Sequence, residues 1–186
     1  AYETRYSGMP KADLILVSHV HGDHYSATKI NTIRNTNVII IAPLAVFNST
    51  DYVSLRPFTT VMTNGTSTNV FGIQIDAIPA YNSNHPLGTG NGYVLTIGGK
   101  RIYFSGDTGD IPETRALPYI DVAFLCVNLP FTMSGADAVN VLNAFRPKVV
   151  YPYHYRNQGG QTTNAAYVKS QMTTASGVEV RLRPWY

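Results

Sequence analysis

The segment SHVHGDHY, residues 18–25, contains three of the five histidines of the chain and one aspartate within six consecutive positions. It directly follows the apolar run DLILV, so these side chains are predicted to lie at the end of a strand. Other polar groups also follow predicted strands: His85 after IQIDAIPAYNSN, Asp107 after RIYFS and His154 after KVVYPY. Loops that follow strands at one edge of a sheet converge on one cavity.

Imidazole nitrogens and carboxylate oxygens are the ligands of zinc and related ions, so metal binding is the chemistry that these side chains favour. The candidate metal ligands are His19, His21, Asp23, His24, His85, Asp107 and His154. A single histidine at a strand end is more often an ordinary surface or core residue, but four potential ligands in six residues are poorly explained that way. Because these groups and a bridging water suffice for two adjacent ions, the sequence predicts a dinuclear centre.

Two divalent ions about 3.5–4 Å apart lower the pKa of a shared water, which makes a metal-bound hydroxide available near neutral pH. Asp23 is the predicted catalytic residue as well as a ligand, because its carboxylate is placed to orient that water or to pass its proton onward. Weaker candidates for hydrogen bonds to a substrate, each as well explained as an ordinary rim residue, are Asn128, Thr132 and Tyr155. Gly106 and Gly109 are expected to let the backbone turn tightly around Asp107.

Strand-like apolar runs alternate with short helical segments along the chain. Strands are predicted over 12–18 and 37–42, with a helix between them that Ser26 caps and that runs from Ala27 to about Arg34. A short helix over PLAVFN follows. The middle of the chain predicts antiparallel strands, with hairpin turns at Asn64–Gly65 and Gly98–Gly99.

The last third alternates strands and longer helices. DVAFLCV, PKVVYPY and VEVRLRP are predicted strands, and SGADAVNVLNAF and TNAAYVKSQMTTA are the predicted helices between them. Ser134 is the expected cap of the first of these helices, with Val139, Leu142 and Phe145 at helical spacing. The pattern predicts an α/β (α+β) fold with helices covering a sheet, in one domain over residues 1–186.

The composition and net charge of the chain argue against several classes of binding partner. The chain has 186 residues, 44% of them hydrophobic and 13% charged, which is typical of a globular protein. The net charge of +3 comes from scattered basic residues, which argues against nucleic-acid binding, and the apolar runs are too short to span a membrane. A single cysteine, Cys126, excludes an internal disulfide and a cysteine-rich zinc site. The expected partner is a small-molecule substrate.

The motifs resemble those of one enzyme superfamily. HVHGDH resembles the HxHxDH signature of the metallo-β-lactamase superfamily, and His85, SGDTGD around Asp107 and YPYHY around His154 match its later motifs in order. GNGYVLTIGGKRIYFSGDTGD, NLPFTM and PKVVYPYHY resemble the branch of metal-dependent hydrolases that includes ascorbate-phosphate lactonase. The resemblance implies a four-layer αβ/βα sandwich with a dinuclear site at one edge.

By the same resemblance, the first metal is bound by His19, His21 and His85, and the second by Asp23, His24 and His154. Asp107 is implied to bridge the two ions, at the place where some β-lactamases carry a cysteine ligand. The expected cofactors are two divalent ions, with zinc preferred over manganese or iron. The implied activity is hydrolysis of an ester, lactone or phosphoester, whereas β-lactamase activity does not follow from the fold name.

Two alternatives stay open at the level of sequence. One is a metal-binding scaffold without catalytic activity, because retained ligands indicate metal binding and not turnover. The other is a di-iron oxidoreductase on the same fold. That group normally has an acidic residue in place of the second histidine of the signature, so His21 favours hydrolysis.

The beginning of the chain departs from the superfamily pattern. Members usually have about two further strands ahead of the HxHxDH signature, whereas only eighteen residues precede His19 here. Because DLILV and NVIIIA are apolar on both faces, each needs cover from two sides. We therefore expect the sandwich to lack its N-terminal strands. Either the sequence is an incomplete record of the working protein, or the exposed apolar face packs against a neighbouring copy in a homo-oligomer.

Overall fold

The computed structural model describes residue 6 and residues 8–156, 163–173 and 176–183. Among these residues, the strands form one sheet of three strands and a second sheet of seven. The described helices are all too short or too polar to cross a bilayer.

The first sheet consists of parallel strands in the order β1-β2-β3. These strands are β1 (Ala12–Leu16), β2 (Arg34–Ala42) and β3 (Thr59–Val61). They are connected by helices α1 (Ala27–Ile33) and α2 (Leu44–Phe47) and a 3₁₀ segment (Thr50–Phe58). The Ser26 side chain accepts a hydrogen bond from the N–H of Lys29, which confirms the predicted cap of α1.

The second sheet has the order β10-β9-β8-β7-β6-β5-β4. Its strands are β4 (Ser67–Val70), β5 (Ile73–Pro79), β6 (Asn91–Ile97), β7 (Lys100–Phe104), β8 (Val122–Cys126), β9 (Val149–Tyr153) and β10 (Glu179–Val180). Strands β4 to β7 pair antiparallel, and β7 to β10 pair parallel. Helices α3 (Pro112–Arg115), α4 (Gly135–Phe145) and α5 (Thr163–Gln171) connect the parallel part.

Three apolar cores arrange these elements in layers. Consecutive residues of β2 point to opposite faces: Ile40 packs in the core with α1 and the 3₁₀ segment, and Ile41 packs in the core between the two sheets. On the far side of the second sheet, Leu125 of β8 shares a third core with Leu142 of α4 and Val168 of α5. The order helix–sheet–sheet–helix confirms the four-layer sandwich.

One predicted turn is wrong. Asn64–Gly65 does not close a hairpin, because within the described part of the chain β3 pairs only with β2 of the first sheet. The Asn64 side chain instead donates hydrogen bonds to the carbonyl of Gly90 and to Asn91, at the point where the chain crosses to the second sheet. The hairpin between β4 and β5 turns at Gly72, which has a φ of +78° that suits glycine. The Gly98–Gly99 turn between β6 and β7 is confirmed.

The buried face of α4 and the ends of the last helix and strand differ from the prediction. In α4 the capping box of Ser134 and Asp137 is present, but the buried face centres on Val141 and Leu142, and Val139 is only half-buried. Strand β10 has only two residues and α5 ends at Gln171, so the predicted strand over 178–184 and helix over 163–175 are both too long; of these ranges, 174–175 and 184 lie outside the described residues.

An apolar face of the second sheet borders a groove of about 550 Å³ beside β1, lined in part by Leu16, Phe104 and Phe124. Phe104 is 39% exposed. Its ring stacks on that of Phe124 with the centroids 4.7 Å apart. This face belongs to the second sheet, whereas the sequence prediction concerned β1 and β2, so the missing N-terminal strands and the packing against a neighbouring copy both stay predictions.

Candidate metal centre

The HVHGDH segment curls directly after β1. The N–H groups of His24 and Tyr25 both donate to the carbonyl of His21, at 2.9 and 2.8 Å, which closes a tight turn. The turn brings the imidazoles of His19 and His24 to 4.2 Å between ring centroids. Four potential ligands therefore leave the carboxyl end of β1 on one short loop.

His85 is delivered by a second turn, after β5. The backbone groups of Asn82 and His85 bond to each other in both directions, at 3.0 and 3.2 Å, so residues 82–85 form a closed loop. A further bond, from the N–H of Gly109 to the carbonyl of Tyr81 at 2.8 Å, ties this loop to the one that follows β7. His85 is consequently buried, with its ring 4.8 Å from that of His19.

Asp107 and His154 follow the parallel strands β7 and β9, whose carboxyl ends lie at one edge of the sheet. Gly106 has a φ of +59°, and a Cβ at this position would lie 2.9 Å from the carbonyl oxygen of Asn91. The expected tight turn before Asp107 is thus confirmed, and only glycine fits it.

We expect Gly106→Ala to lower the free energy of unfolding by about 1–2 kcal/mol from the left-handed backbone alone. Metal binding should weaken as well, because the displaced backbone carries Asp107. Gly22→Ala is the matched control, since a Cβ at Gly22 meets nothing within 4 Å. Chemical denaturation and metal stoichiometry of both variants test this expectation, and equal stabilities would contradict it.

All seven predicted residues converge. The ligand atoms form three overlapping groups, each within 4.8 Å: His19, His21 and His85; His19, His24 and Asp107; and Asp23, His24 and His154. Within the first group, Nε2 of His85 lies 3.0 Å from Nδ1 of His21. Within the third, Nε2 of His154 lies 3.2 Å from Oδ2 of Asp23.

Asp107 lies between the two outer groups. Its Oδ2 is 3.8 Å from Nε2 of His19 on one side and 3.5 Å from Nε2 of His154 on the other, and its Oδ1 is 3.3 Å from Nε2 of His24. A carboxylate in this position can contact an ion in either group. The geometry therefore agrees with the bridging role that the resemblance implies for this residue.

Unsatisfied buried atoms indicate that the cluster suits a cation. Among the described residues, Nε2 of His19, Nε2 of His24 and Oδ1 of Asp107 are buried without a hydrogen-bond partner. Buried polar atoms without partners are costly, and metal coordination satisfies their lone pairs. Two nitrogens bound at 2.0–2.1 Å to a tetrahedral zinc would be about 3.3 Å apart, close to the His21–His85 separation. These residues fit a divalent metal.

The protonation of the cluster is consistent with a cation site. Burial, with a smaller effect of His24, lowers the pKa of His19 to about 3, which leaves this imidazole in its neutral, metal-binding form. Burial also lowers the pKa of His24, but the adjacent carboxylates of Asp107 and Asp23 outweigh it and raise that pKa to about 9. Without metal, the proton on His24 supplies the positive charge that the carboxylates of Asp107 and Asp23 stabilise.

The three weaker candidates from the sequence, Asn128, Thr132 and Tyr155, have different surroundings in the structure. Asn128 is buried beside the cluster and its Nδ2 lies 3.5 Å from Nδ1 of His154. Thr132 accepts a hydrogen bond from the N–H of Asn128 at 2.7 Å, which gives it a structural role. The expectation for Tyr155 is wrong, because this residue is buried and its hydroxyl donates to the carbonyl of Arg183.

Other residues at the site were not predicted from the sequence. The Ser18 hydroxyl lies 3.0 Å from Nδ1 of His19, and Oδ1 of Asn82 lies 3.0 Å from Nδ1 of His85. Asn84, Phe131 and Arg156 line the cavity of about 410 Å³ above the cluster. A polar residue one or three positions before a ligand histidine is the signal that could have identified Ser18 and Asn82.

Comparisons with known proteins agree with this geometry. The family model described as a β-lactamase superfamily domain matches residues 2–154. A UPF0173 metal-dependent hydrolase from Pelotomaculum thermopropionicum is 32% identical over 186 residues, which covers 92% of this chain and 79% of that protein.

Solved structures share the same architecture. A structure described as a candidate metal-dependent hydrolase from Parabacteroides distasonis matches with a TM-score of 0.82 and 37% identity, over 96% of this chain and 79% of that one. A metallo hydrolase from the archaeon Ignicoccus hospitalis matches with a TM-score of 0.78 and 25% identity, over 96% of this chain and 78% of that one.

Proposed function

The chain belongs to the metallo-β-lactamase superfamily as a metal-dependent hydrolase, and from this membership we propose that it hydrolyses an ester, lactone or phosphoester bond of a small molecule at a dinuclear site. Zinc is the proposed metal, with manganese or iron as alternatives. The observation that carries the proposal is the convergence of His19, His24 and Asp107, with buried and unsatisfied ligand atoms, at the centre of the cluster. His21 and His85 would complete one ion's ligands, and Asp23 and His154 the other's.

When bound, two divalent ions lower the pKa of a water and polarise the oxygen that is attacked. The side chains that would hold them also set the position of the reacting groups. Asp107 would offer a ligand oxygen to an ion in either outer group, because its carboxylate lies between Nε2 of His19 and Nε2 of His154. Its own pKa is held below the ordinary value, since the imidazole of His24 outweighs the opposing effect of burial.

Asp23 is the proposed catalytic residue. Its side chain is 65% exposed, and its Oδ2 lies 3.2 Å from His154 and 3.4 Å from His24. The hydrogen bond with His154, together with the nearby imidazole of His24, holds the pKa of Asp23 well below its usual range, so the carboxylate is ionised at neutral pH. A carboxylate with such a low pKa retains a proton poorly, which makes Asp23 better suited to orient the attacking water than to store its proton.

The cavity above the cluster suits a small polar substrate. Its volume of about 410 Å³ is in the range of small-molecule sites. Among the described residues that line it, Arg156 carries a positively charged side chain and Asn84 and Asn128 carry amides. A phosphate or carboxylate group on the substrate would meet charge-assisted hydrogen bonds from Arg156.

If Arg156 recognises such a group, Arg156→Ala should raise KM for an anionic substrate by about 10- to 100-fold, the effect of one lost charge-assisted hydrogen bond. KM for a neutral ester should change little. Arg34→Ala is the control, because Arg34 lies at the start of β2, away from the carboxyl edge of the sheet. Steady-state kinetics on paired anionic and neutral substrates test the role, and an equal rise in KM for both would contradict it.

The proposed function is tested with purified protein, first freed of metal and then loaded with zinc, manganese or iron. Each form is assayed against lactones, carboxylic esters, phosphomonoesters, phosphodiesters, thioesters and β-lactams. Hydrolysis that is lost with a chelator and regained with metal supports the proposal. Two bound ions without turnover of any ester, lactone or phosphoester would favour the scaffold alternative, and stoichiometric redox-active iron would favour the oxidoreductase.

A further inference from the structure

The side chain of Asn82 contacts three separate parts of the site. Its Oδ1 accepts a hydrogen bond from the backbone N–H of Asn84 at 2.8 Å and lies 3.0 Å from Nδ1 of His85. Its Nδ2 donates to the carbonyl of Asp107 at 3.2 Å and to that of Phe131 at 3.0 Å. The amide thus uses both of its donors and both of its acceptor positions.

These four contacts determine the direction of every hydrogen bond in the group. The carbonyls of Asp107 and Phe131 are acceptors only, so the atom facing them must be the NH₂ of the amide. The N–H of Asn84 is a donor only, so the other atom must be the oxygen. Because that oxygen cannot donate, Nδ1 of His85 must carry a proton and donate it to Asn82. The Nε2 of His85 then presents its lone pair to the cluster, 3.0 Å from Nδ1 of His21.

We infer that Asn82 is a positioning residue of the metal centre, which fixes His85 in its metal-binding tautomer and anchors the backbone of the bridging Asp107 through the same amide. The expected consequence, tighter metal binding, rests on the proposed function. The tautomer of His85 does not depend on it. Hydrogen bonds from a ligand histidine to an outer acceptor orient the ring and raise its basicity.

Asn82 selects one tautomer of its histidine, unlike the side chains that contact the outward-facing nitrogens of His19 and His154. The Ser18 hydroxyl beside Nδ1 of His19 can donate or accept, so it does not select a tautomer. The contact between Asn128 and Nδ1 of His154 is longer, at 3.5 Å. Asn82 also joins the loop after β5 to the loop after β7, so one side chain aligns His85 of the first group and Asp107 of the central group.

The test compares Asn82→Ala with Asn82→Asp. Alanine removes all four hydrogen bonds, so the affinity for one of the two zinc ions should fall by about 10- to 100-fold. Aspartate keeps the acceptor for His85 and should therefore keep the tautomer, but its second oxygen faces the carbonyls of Asp107 and Phe131, so it should restore the zinc affinity only in part. Zinc affinity is measured by competition with a chromophoric chelator, cobalt absorption spectra report the ligand geometry, and ¹⁵N NMR reports the protonated nitrogen of His85.

Asn84→Ala is the matched control. It removes a side-chain bond of the same loop, to the carbonyl of Pro130, and leaves the backbone N–H that Asn82 accepts. Its zinc affinity should stay within about twofold of wild type. Wild-type affinity and tautomer in Asn82→Ala, or an equal loss in Asn82→Ala and Asn82→Asp, would overturn the inference.

The proposed function and this inference can fail separately. A wild-type protein that binds no metal would contradict the proposed function. The NMR measurement still decides the role of Asn82 in that case, because the metal-free wild-type protein is expected to carry the proton of His85 on Nδ1. A proton on Nε2 in the folded, metal-free protein would overturn the inference.

Discussion

Replacing Asp23 with alanine is expected to lower kcat by about 10²- to 10⁴-fold, the contribution typical of a positioned acid or base. The change removes one candidate ligand and the carboxylate that faces the cavity at the same time. It also takes away the hydrogen-bond acceptor of His154 and the charge beside His24, so two further imidazoles lose their alignment.

Asp23→Asn separates the two roles of this residue. It keeps the size of the side chain and an oxygen that can accept from water, but it loses the charge that favours a cation. Single-turnover kinetics at saturating zinc, with the zinc content of each variant measured, isolate the effect on the chemical step. Asp13→Ala is the control, because Asp13 is an exposed aspartate on β1 outside the cluster. Near-normal kcat in Asp23→Ala with both ions bound would make the catalytic role untenable.

The site was predictable from the sequence because its ligands follow strands. The positions of these ligands in the sequence say little about distance, but His154 directly follows a predicted strand, Asp107 comes shortly after one, and His85 follows the strand-like run IQIDAIPA and the turn residues YNSN. Strands β7 and β9 run parallel, so the loops after them open at the same edge, and β5 ends at that edge as well. The predicted strands and their directions therefore suffice to predict that residues more than a hundred positions apart in the sequence lie in one site.

The parts that the sequence did not predict depend on tertiary contacts. The pair Asn64–Gly65 has the composition of a hairpin turn, but the partner of β3 lies in the other sheet, and no local signal indicates that choice. Tyr155 is next to His154 in sequence, yet its hydroxyl reaches the carbonyl of Arg183. Turn composition and adjacency are local properties, and both fail where a distant segment offers the better partner.

The single cysteine of the chain, Cys126, is poorly suited to bind the metal. Cys126 is fully buried at the end of β8, and its Sγ lies 3.4 Å from the carbonyl of Thr108. Burial, together with the nearby charge of Asp107, raises the pKa of this thiol to about 12, so it stays protonated. The ligand atoms of the cluster are therefore imidazole nitrogens and carboxylate oxygens only, a set that suits hydrolytic metals such as zinc and manganese.

Removing the metal is expected to abolish hydrolysis and to destabilise the fold in one step. An ion that binds only the folded state adds about 4 kcal/mol to the free energy of unfolding when its free concentration is 1,000 times its Kd. For a domain of this size, Tm falls by about 2–4 °C per kcal/mol, so a chelator should lower Tm by about 8–16 °C.

The reason for this expectation is the state of the cluster without metal. The buried Nε2 atoms of His19 and His24 and Oδ1 of Asp107 then lack partners among the described residues, and five imidazoles crowd one edge of the sheets. Calorimetry on the zinc-loaded, chelated and reloaded protein measures the shift in Tm. His19→Ala is the control, because His19 belongs to two of the ligand groups and the Tm of a protein without it should respond much less to the chelator. The expectation is contradicted if two ions per chain are measured and removed and Tm then moves by less than about 2 °C. The sandwich would in that case hold its seven ligand side chains in place without the metal, and metal binding would add little to the free energy of unfolding.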